Sequence, residues 1–114
     1  KAAWHPLQGC WGQYCTQIVG NYLFQSSPYN SPNKNDLSYR LYNQLGTVCS
    51  HGCVRLTVAD AKWIYDNCPI GTTVKIYNAS SLPVPKPSAP WLDITSPNRG
   101  WDPTDPDPAN PWRQ

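Results

Sequence analysis

The stretch Ser50-His51-Gly52-Cys53-Val54-Arg55-Leu56 carries the strongest information about fold and function in this chain of 114 residues. A cysteine attacks a carbonyl carbon as the thiolate, which a neighbouring base or positive charge stabilises. His51 and Arg55 can supply positive potential, and Gly52 leaves space for a substrate close to the backbone. Backbone N–H groups at Gly52 and Cys53 can bind a developing oxyanion. The pattern predicts a cysteine nucleophile, with a buried structural cysteine beside a histidine as the alternative.

The same seven residues resemble the active-site signature of the L,D-transpeptidases, the YkuD-like family. The resemblance continues in the family's following helix, its closing strand and two earlier strands: residues 57–67, 71–77, 11–14 and 21–24. It implies a mainly β fold, an L,D-transpeptidase-like β-sandwich with one or two short helices. The catalytic domain is expected at residues 1–78, followed by a Pro-rich tail at 79–114.

The resemblance implies a cysteine acyltransferase that acts on the stem peptides of bacterial peptidoglycan. Cys53 would attack the carbonyl between the third residue of a stem tetrapeptide and the terminal D-alanine, release D-alanine and leave a thioester. An amine of a neighbouring stem would then resolve the thioester into a 3–3 cross-link, so that one exchange is split into two covalent steps. The expected partners are stem peptides and a carbapenem that forms an adduct at Cys53. No cofactor or metal is implied, and the expected location is the cell wall or periplasm.

One position departs from the family pattern. The family carries its general base, a histidine, on an upstream strand, often within Phe-His-Ser, where this chain has Phe24-Gln25-Ser26. The resemblance therefore places Gln25 at the base position with Ser26 beside it, and His51 and Gly52 at the oxyanion region. A glutamine amide accepts no proton near neutral pH. Because general acid–base catalysis contributes ~10²–10⁴-fold in rate, we expect impaired transfer.

Three explanations for Gln25 stay open. The substitution is deliberate and traps a substrate or an inactive state, or the protein is a natural stem-peptide-binding module without catalysis, or another histidine supplies the base. Only His5 and His51 are available. In the family His51 shapes the site, and His5 precedes Pro6 in a segment expected to be irregular. The first two explanations are therefore favoured over a replacement base.

Four residues are candidate substrate contacts. Arg55 is expected to orient a carboxylate or the backbone of the site, with a structural salt bridge as the alternative. In the family a lid covers the catalytic groove at the loop that corresponds to residues 27–36. Tyr29 and Tyr42, on or near this loop, can stack on a stem peptide, with ordinary packing as the alternative. The fourth candidate substrate contact is Ser50, the first residue of the signature.

Charge and composition exclude two kinds of partner. The formal net charge is +2 and the basic residues are dispersed, so no patch favours nucleic acid. No apolar run approaches the ~20 residues of a membrane span. Because family members carry earlier strands, we expect a C-terminal piece whose β-sandwich is incomplete at its N-terminus. A core of this size is marginally stable, which predicts disulfides, a companion chain or an assembly that replaces the lost strands.

The five cysteines favour an oxidising compartment. Cys53 is expected to stay reduced for its chemistry, which leaves Cys10, Cys15, Cys49 and Cys68 for two disulfides. Pairing of Cys10 with Cys15 and of Cys49 with Cys68 is favoured. The other two pairings and reduced, buried cysteines remain open, and the spacing fits no common zinc site.

The first half of the chain predicts two strands, a loop and a helix. Residues 13–19 and 21–27 are rich in β-branched and aromatic side chains, and Gly20-Asn21 between them favours a hairpin. Proline and asparagine predict a loop at 27–36. A short helix is expected over 37–45.

A second helix is predicted directly after the signature. Thr57 followed by Asp60 resembles an N-cap, and the apolar spacing predicts a helix that ends by Asn67. Trp63 is expected to pack against the sheet. Alternation over residues 73–76 predicts an antiparallel strand.

The tail after residue 78 is rich in proline, aspartate and tryptophan. This composition predicts an extended, polyproline-like chain and, by default, a disordered linker. Trp91, Trp101 and Trp112 argue that parts of the tail dock on a surface. A calcium loop is disfavoured because the tail lacks the glycine and closing glutamate of an EF-hand.

Overall fold

The structure is a computed structural model that describes residues 1–7, 9–20, 22–45, 53–74 and 90–113. Its elements follow in chain order: β1 (Ala2–Leu7), β2 (Cys10–Val19), β3 (Tyr22–Ser26), α1 (Tyr39–Tyr42), β4 (Val54–Leu56), α2 (Val58–Asn67) and a short 3-10 helix (Pro111–Arg113). The four strands form one sheet in the order β1-β2-β3-β4. The predicted mainly β fold with a few short helices is confirmed.

The sheet combines antiparallel and parallel pairing. β1 and β2 pair antiparallel, with His5 opposite Gly12. β2 and β3 also pair antiparallel, and Gly20 turns the chain between them with a φ of 56°. β4 runs parallel to β3 and places Arg55 opposite Gln25. Parallel neighbours need a long connection, and here the chain between β3 and β4 carries α1.

The structure agrees with some of the predicted strands and irregular segments and differs from others. The strands expected over 13–19 and 21–27 correspond to β2 and β3. The irregular segment expected at His5 is wrong, because His5 and Pro6 both lie in β1, where an edge position tolerates proline. The strand expected over 73–76 is not found in its described part, where residues 72–74 are irregular, and residues 75 and 76 lie outside the described ranges.

The structure agrees with the predicted helix more closely for α2 than for α1. The Thr57 hydroxyl accepts a hydrogen bond from the Asp60 N–H (3.3 Å), which confirms the predicted cap. α1 is shorter than expected and begins only at Tyr39. Trp63 is 62% exposed, because it lies about 200° around α2 from the buried Ala61. Its expected packing on the sheet is therefore wrong. Neither described helix combines the length and apolarity needed to cross a membrane.

The hydrophobic core draws on the loop, both helices and the C-terminal part of the chain. Its buried members are Tyr29, Leu37, Tyr42, Val58 and Leu92. The Tyr42 hydroxyl donates to the Pro90 carbonyl at 2.9 Å. Residues 90–113 therefore pack on the domain, as the docking alternative predicted, and do not form a disordered linker. Residues 79–89 lie outside the described ranges.

The predicted disulfides are not formed. Cys10, Cys15 and Cys68 are free thiols. Cys10 and Cys15 lie five positions apart on β2, which corresponds to roughly 16 Å along an extended strand. A disulfide requires Cα atoms within about 7 Å. Cys68 is free, and its favoured partner, Cys49, lies outside the described residues.

Two adjacent residues test whether the C-terminal part belongs to the core. We expect Leu92→Ala to lower the free energy of unfolding by ~2–5 kcal/mol, because Leu92 is 1% exposed and its removal leaves a cavity. Trp91→Ala is the matched control, since Trp91 is 78% exposed and should cost only about 0.5 kcal/mol. Urea unfolding followed by circular dichroism measures both. Equal effects of the two substitutions would contradict the packing.

Candidate active site

One cavity of about 790 Å³ lies over the sheet and collects most of the chemically reactive side chains of the described chain. The residues that line it are Lys1, Ala2, His5, Pro6, Leu7, Cys10, Cys15, Gln17, Gly20, Leu23, Gln25, Cys53 and Arg55. They come from all four strands or their ends. None of these lining residues is acidic, whereas Lys1 and Arg55 are cationic.

The parallel pairing of β3 and β4 sets the centre of this cavity. Alternate residues of a strand point to the same face, so Leu23 and Gln25 share one face of β3. Cys53 directly precedes β4, and Arg55 lies two residues further on that face. Because Gln25 is the register partner of Arg55, the position expected for the base lies beside the arginine and one strand from the cysteine.

A distortion of β2 opens space beside Gln25. Tyr14 has a φ of 52°, a left-handed conformation that side-chain-bearing residues rarely adopt. This interrupts the alternation, so Gly12 and Cys15 point to the same face although they are three residues apart. A Cβ atom on Gly12 would lie 2.8 Å from Cys15 Sγ and 3.1 Å from Gln25 Oε1. Only glycine at position 12 therefore leaves room for both side chains.

Cys15 and Cys53 occupy the same cavity in different electrostatic settings. The Cys15 thiol donates a weak hydrogen bond to Gln25 Oε1 at 4.0 Å. Burial, helped by nearby Cys53, raises the pKa of Cys15 to about 11. Cys15 is therefore a neutral thiol at physiological pH. Cys53 is only partly buried, so the more accessible sulfur is the one in the signature.

Arg55 brings an unsatisfied positive charge to the cavity. Its Nε and Nη1 atoms are buried and have no hydrogen-bond partner within the described ranges. Leaving buried donors of a charged group unpaired is costly. A guanidinium binds a carboxylate through two parallel hydrogen bonds. The side chain is thus suited to an anionic ligand that enters the cavity.

Several residues predicted for the site lie elsewhere. Ser26 Oγ accepts from the Gln13 N–H and donates to the Ser27 carbonyl, both at 2.9 Å, and does not line the cavity. Tyr29 packs edge-on against Trp4, with ring centroids 5.1 Å apart. It is buried in the core, as is Tyr42, so neither tyrosine faces a ligand in the cavity. Ser50, His51 and Gly52 lie outside the described residues.

His5 lines the cavity but is too distant to act on Cys53 directly. It lies on β1 opposite Gly12, three strands away from Arg55. Strands are spaced about 4.8 Å apart, which separates the two backbones by roughly 14 Å. A general base must come within hydrogen-bond distance of the proton that it removes. The structure also contains, among its described residues, no group of three or more potential ligands that could hold a metal ion.

Comparisons with known proteins show the family of this chain. The family model described as YkuD, L,D-transpeptidase catalytic domain, matches residues 1–76. The chain therefore belongs to the L,D-transpeptidase catalytic domain family. It is 46% identical over 57 residues to a Bacillus subtilis (strain 168) protein named "Putative L,D-transpeptidase YciB". That match covers 50% of this chain and 28% of the relative. No solved structure gives a significant match.

Alkylation should distinguish the cysteines of β2. With a pKa of about 11, Cys15 carries about one thiolate per thousand molecules at pH 8. It is also 3% exposed, whereas Cys10 is only partly buried. We expect iodoacetamide at pH 8 to modify Cys10 well before Cys15 in the native protein, and both equally after denaturation. Peptide mass mapping measures this order. Equal native labelling of Cys15 and Cys10 would contradict the burial of Cys15.

Proposed function

We propose that this chain is a peptidoglycan L,D-transpeptidase domain in which Cys53 forms a thioester with a stem peptide, and that Gln25 slows the reaction. The proposal is supported most directly by the buried Nε and Nη1 atoms of Arg55, which have no hydrogen-bond partner within the described ranges and belong to a residue that lines the same cavity as Cys53. A stem tetrapeptide ends in a carboxylate near the carbonyl that would be attacked. Bound to Arg55, this carboxylate would hold the peptide across the cysteine.

The slow step is the removal of the thiol proton. Attack on the carbonyl forms the sulfur–carbon bond, and the departing D-alanine amine must gain a proton as its bond to carbon breaks. A histidine would pass the proton from sulfur to nitrogen. Gln25 cannot do so. Cys15 cannot either, because a neutral thiol has no basic lone pair of adequate strength at pH 7. Without either acceptor, the thiol proton would pass to water and the leaving amine would take its proton from water, which removes the contribution of general acid–base catalysis.

The second step uses the same cavity. An amine from a neighbouring stem would attack the thioester carbonyl and form the amide of the 3–3 linkage. As the carbon–sulfur bond breaks, Cys53 would be released as a thiol, and the proton lost by the amine balances the one that the sulfur takes up. Because the substrate is a cell-wall polymer, the protein would act outside the cytoplasm, in the cell wall or periplasm. The oxyanion formed in each step would be stabilised by backbone N–H groups near Cys53, with His51 and Gly52 shaping that region.

One observation, the glutamine at position 25, favours a second function. A domain that keeps Arg55 and the cavity but has no base would bind stem peptides without forming a thioester. Calorimetric binding of a tetrapeptide stem, together with the absence of D-alanine release from both the unsubstituted chain and Gln25→His, would support this binding module.

Replacing Gln25 by histidine tests the transpeptidase. We expect Gln25→His to accelerate carbapenem acylation of Cys53 by ~10²-fold or more, because it supplies the missing base. Intact mass spectrometry follows the adduct with time, and D-alanine release is measured on a tetrapeptide. Gln25→Asn is the matched control, since it keeps an amide and should give no acceleration. Gln25→His/Cys53→Ala should form no adduct.

Two outcomes would contradict this account of Gln25. One is an unsubstituted chain, with Gln25 in place, that already acylates as fast as the histidine variant. The other is an adduct on a cysteine other than Cys53, located by peptide mapping.

A further inference from the structure

The C-terminal segment, residues 90–113, lies beyond the family match and forms a hydrogen-bonded structure of its own. Asp102 Oδ1 accepts from the Thr104 backbone N–H (2.7 Å) and hydroxyl (2.6 Å). The Asn110 amide donates to the carbonyls of Asp102 (3.0 Å) and Asp105 (2.9 Å). Asp102, Asp105 and Asn110 are fully buried. Because buried, hydrogen-bonded networks favour one arrangement, Asp102 and Thr104 are held in fixed positions.

These two residues complete the N-terminal cap of α2. A helix leaves its first backbone N–H groups without partners inside the helix. The Val58 N–H donates to Asp102 Oδ2 and the Ala59 N–H donates to Thr104 Oγ1, each at 3.0 Å. The third donor, the Asp60 N–H, is bound by the local cap residue Thr57. Two of the three donors of the first turn thus depend on the C-terminal segment.

The capped end of α2 is joined directly to the cysteine site. Only Thr57 separates α2 from β4, and the Leu56 carbonyl accepts from the Ser27 N–H at 3.1 Å. β4 is therefore fixed by β3 on one side and by the capped helix at its end. Cys53 directly precedes this short strand, and Arg55 is its middle residue. A misplacement of catalytic groups by about 1 Å can cost ~10²-fold in rate. A change in the cap that shifts β4 would therefore lower the rate of acyl transfer.

Other contacts of the C-terminal segment avoid α2 and supply a control. Asn43 and the Leu92 backbone exchange two hydrogen bonds of 2.9 and 3.0 Å. The Lys34 ammonium pairs with Asp107 at 2.8 Å on a partly exposed surface. Loss of this last pair removes one attachment of the segment but leaves the cap of α2 intact.

We propose that Asp102 and Thr104 are positioning residues for acyl transfer, which act through the N-terminus of α2 to hold β4 and thereby Cys53 and Arg55. This inference rests on the proposed function for its kinetic consequence. Its structural consequence, the protection of β4, is independent of that function. The segment 90–113 is then part of the catalytic unit although it lies outside the residues that define the family.

The test uses the Gln25→His chain as parent and adds Asp102→Ala, Asp102→Asn, Thr104→Val or, as control, Lys34→Ala. Carbapenem acylation is followed at several concentrations, which separates the maximal rate from the apparent affinity. Amide hydrogen exchange of residues 54–56 is measured on the same proteins. All measurements are made at a temperature at which circular dichroism shows each variant folded.

We expect Asp102→Ala to lower the maximal acylation rate at least about tenfold with little change in affinity, and to speed exchange in β4. Thr104→Val should have a smaller effect in the same direction. Asp102→Asn keeps one side-chain oxygen that can accept from the Val58 N–H but replaces the other oxygen by a donor, so it should recover only part of the rate. Lys34→Ala should stay within about twofold of the parent.

Three results are decisive in different ways. A folded Asp102→Ala protein with the parent's rate and β4 exchange would overturn the proposal, and if that variant does not fold, the same result for Thr104→Val would overturn it. If the Gln25→His parent itself does not acylate, the proposed function fails. Hydrogen exchange of β4 then still decides whether Asp102 and Thr104 hold the strand.

Discussion

The parallel pairing of β3 with β4 is the constraint on which the cysteine site depends. Its register sets Gln25 opposite Arg55 and leaves Cys53 at the entry to β4. A shift by one residue would turn the β4 side chains to the opposite face and remove both the charge and the thiol from the cavity. The residues that hold β4 in this register are therefore as important for function as those that contact a substrate.

The two faces of the sheet serve different purposes. On the cavity face, the conformation of Tyr14 and the missing side chain of Gly12 make room for Cys15 beside Gln25. On the other side, the core is assembled from the loop, the helices and the C-terminal segment, with Leu92 among its buried members. Packing of residues far apart in the chain thus supports a short strand that makes few contacts of its own.

The signature predicts the family, because the residues that carry the resemblance lie next to one another in the sequence. Contacts between distant residues were harder to predict. β1 was missed because Pro6 disfavours a strand unless it lies at an edge, which only the sheet order reveals. For Tyr29 and Tyr42 the sequence leaves both substrate contact and ordinary packing open, because a position on or near a loop does not show whether a side chain turns into the core. The C-terminal segment packs through its buried aspartates and Leu92, whereas Trp91 is exposed. Composition alone does not show which residues of the segment are buried.

In the proposed mechanism, the site lacks only a proton acceptor at position 25. The most direct measurement is the acylation rate of Gln25→Ala as imidazole is added, because the smaller side chain leaves space for a soluble base. We predict that the rate of adduct formation at Cys53 rises in proportion to neutral imidazole and that Cys53→Ala abolishes the adduct. A rate that stays unchanged with imidazole, while the adduct still forms at Cys53, would contradict the central claim.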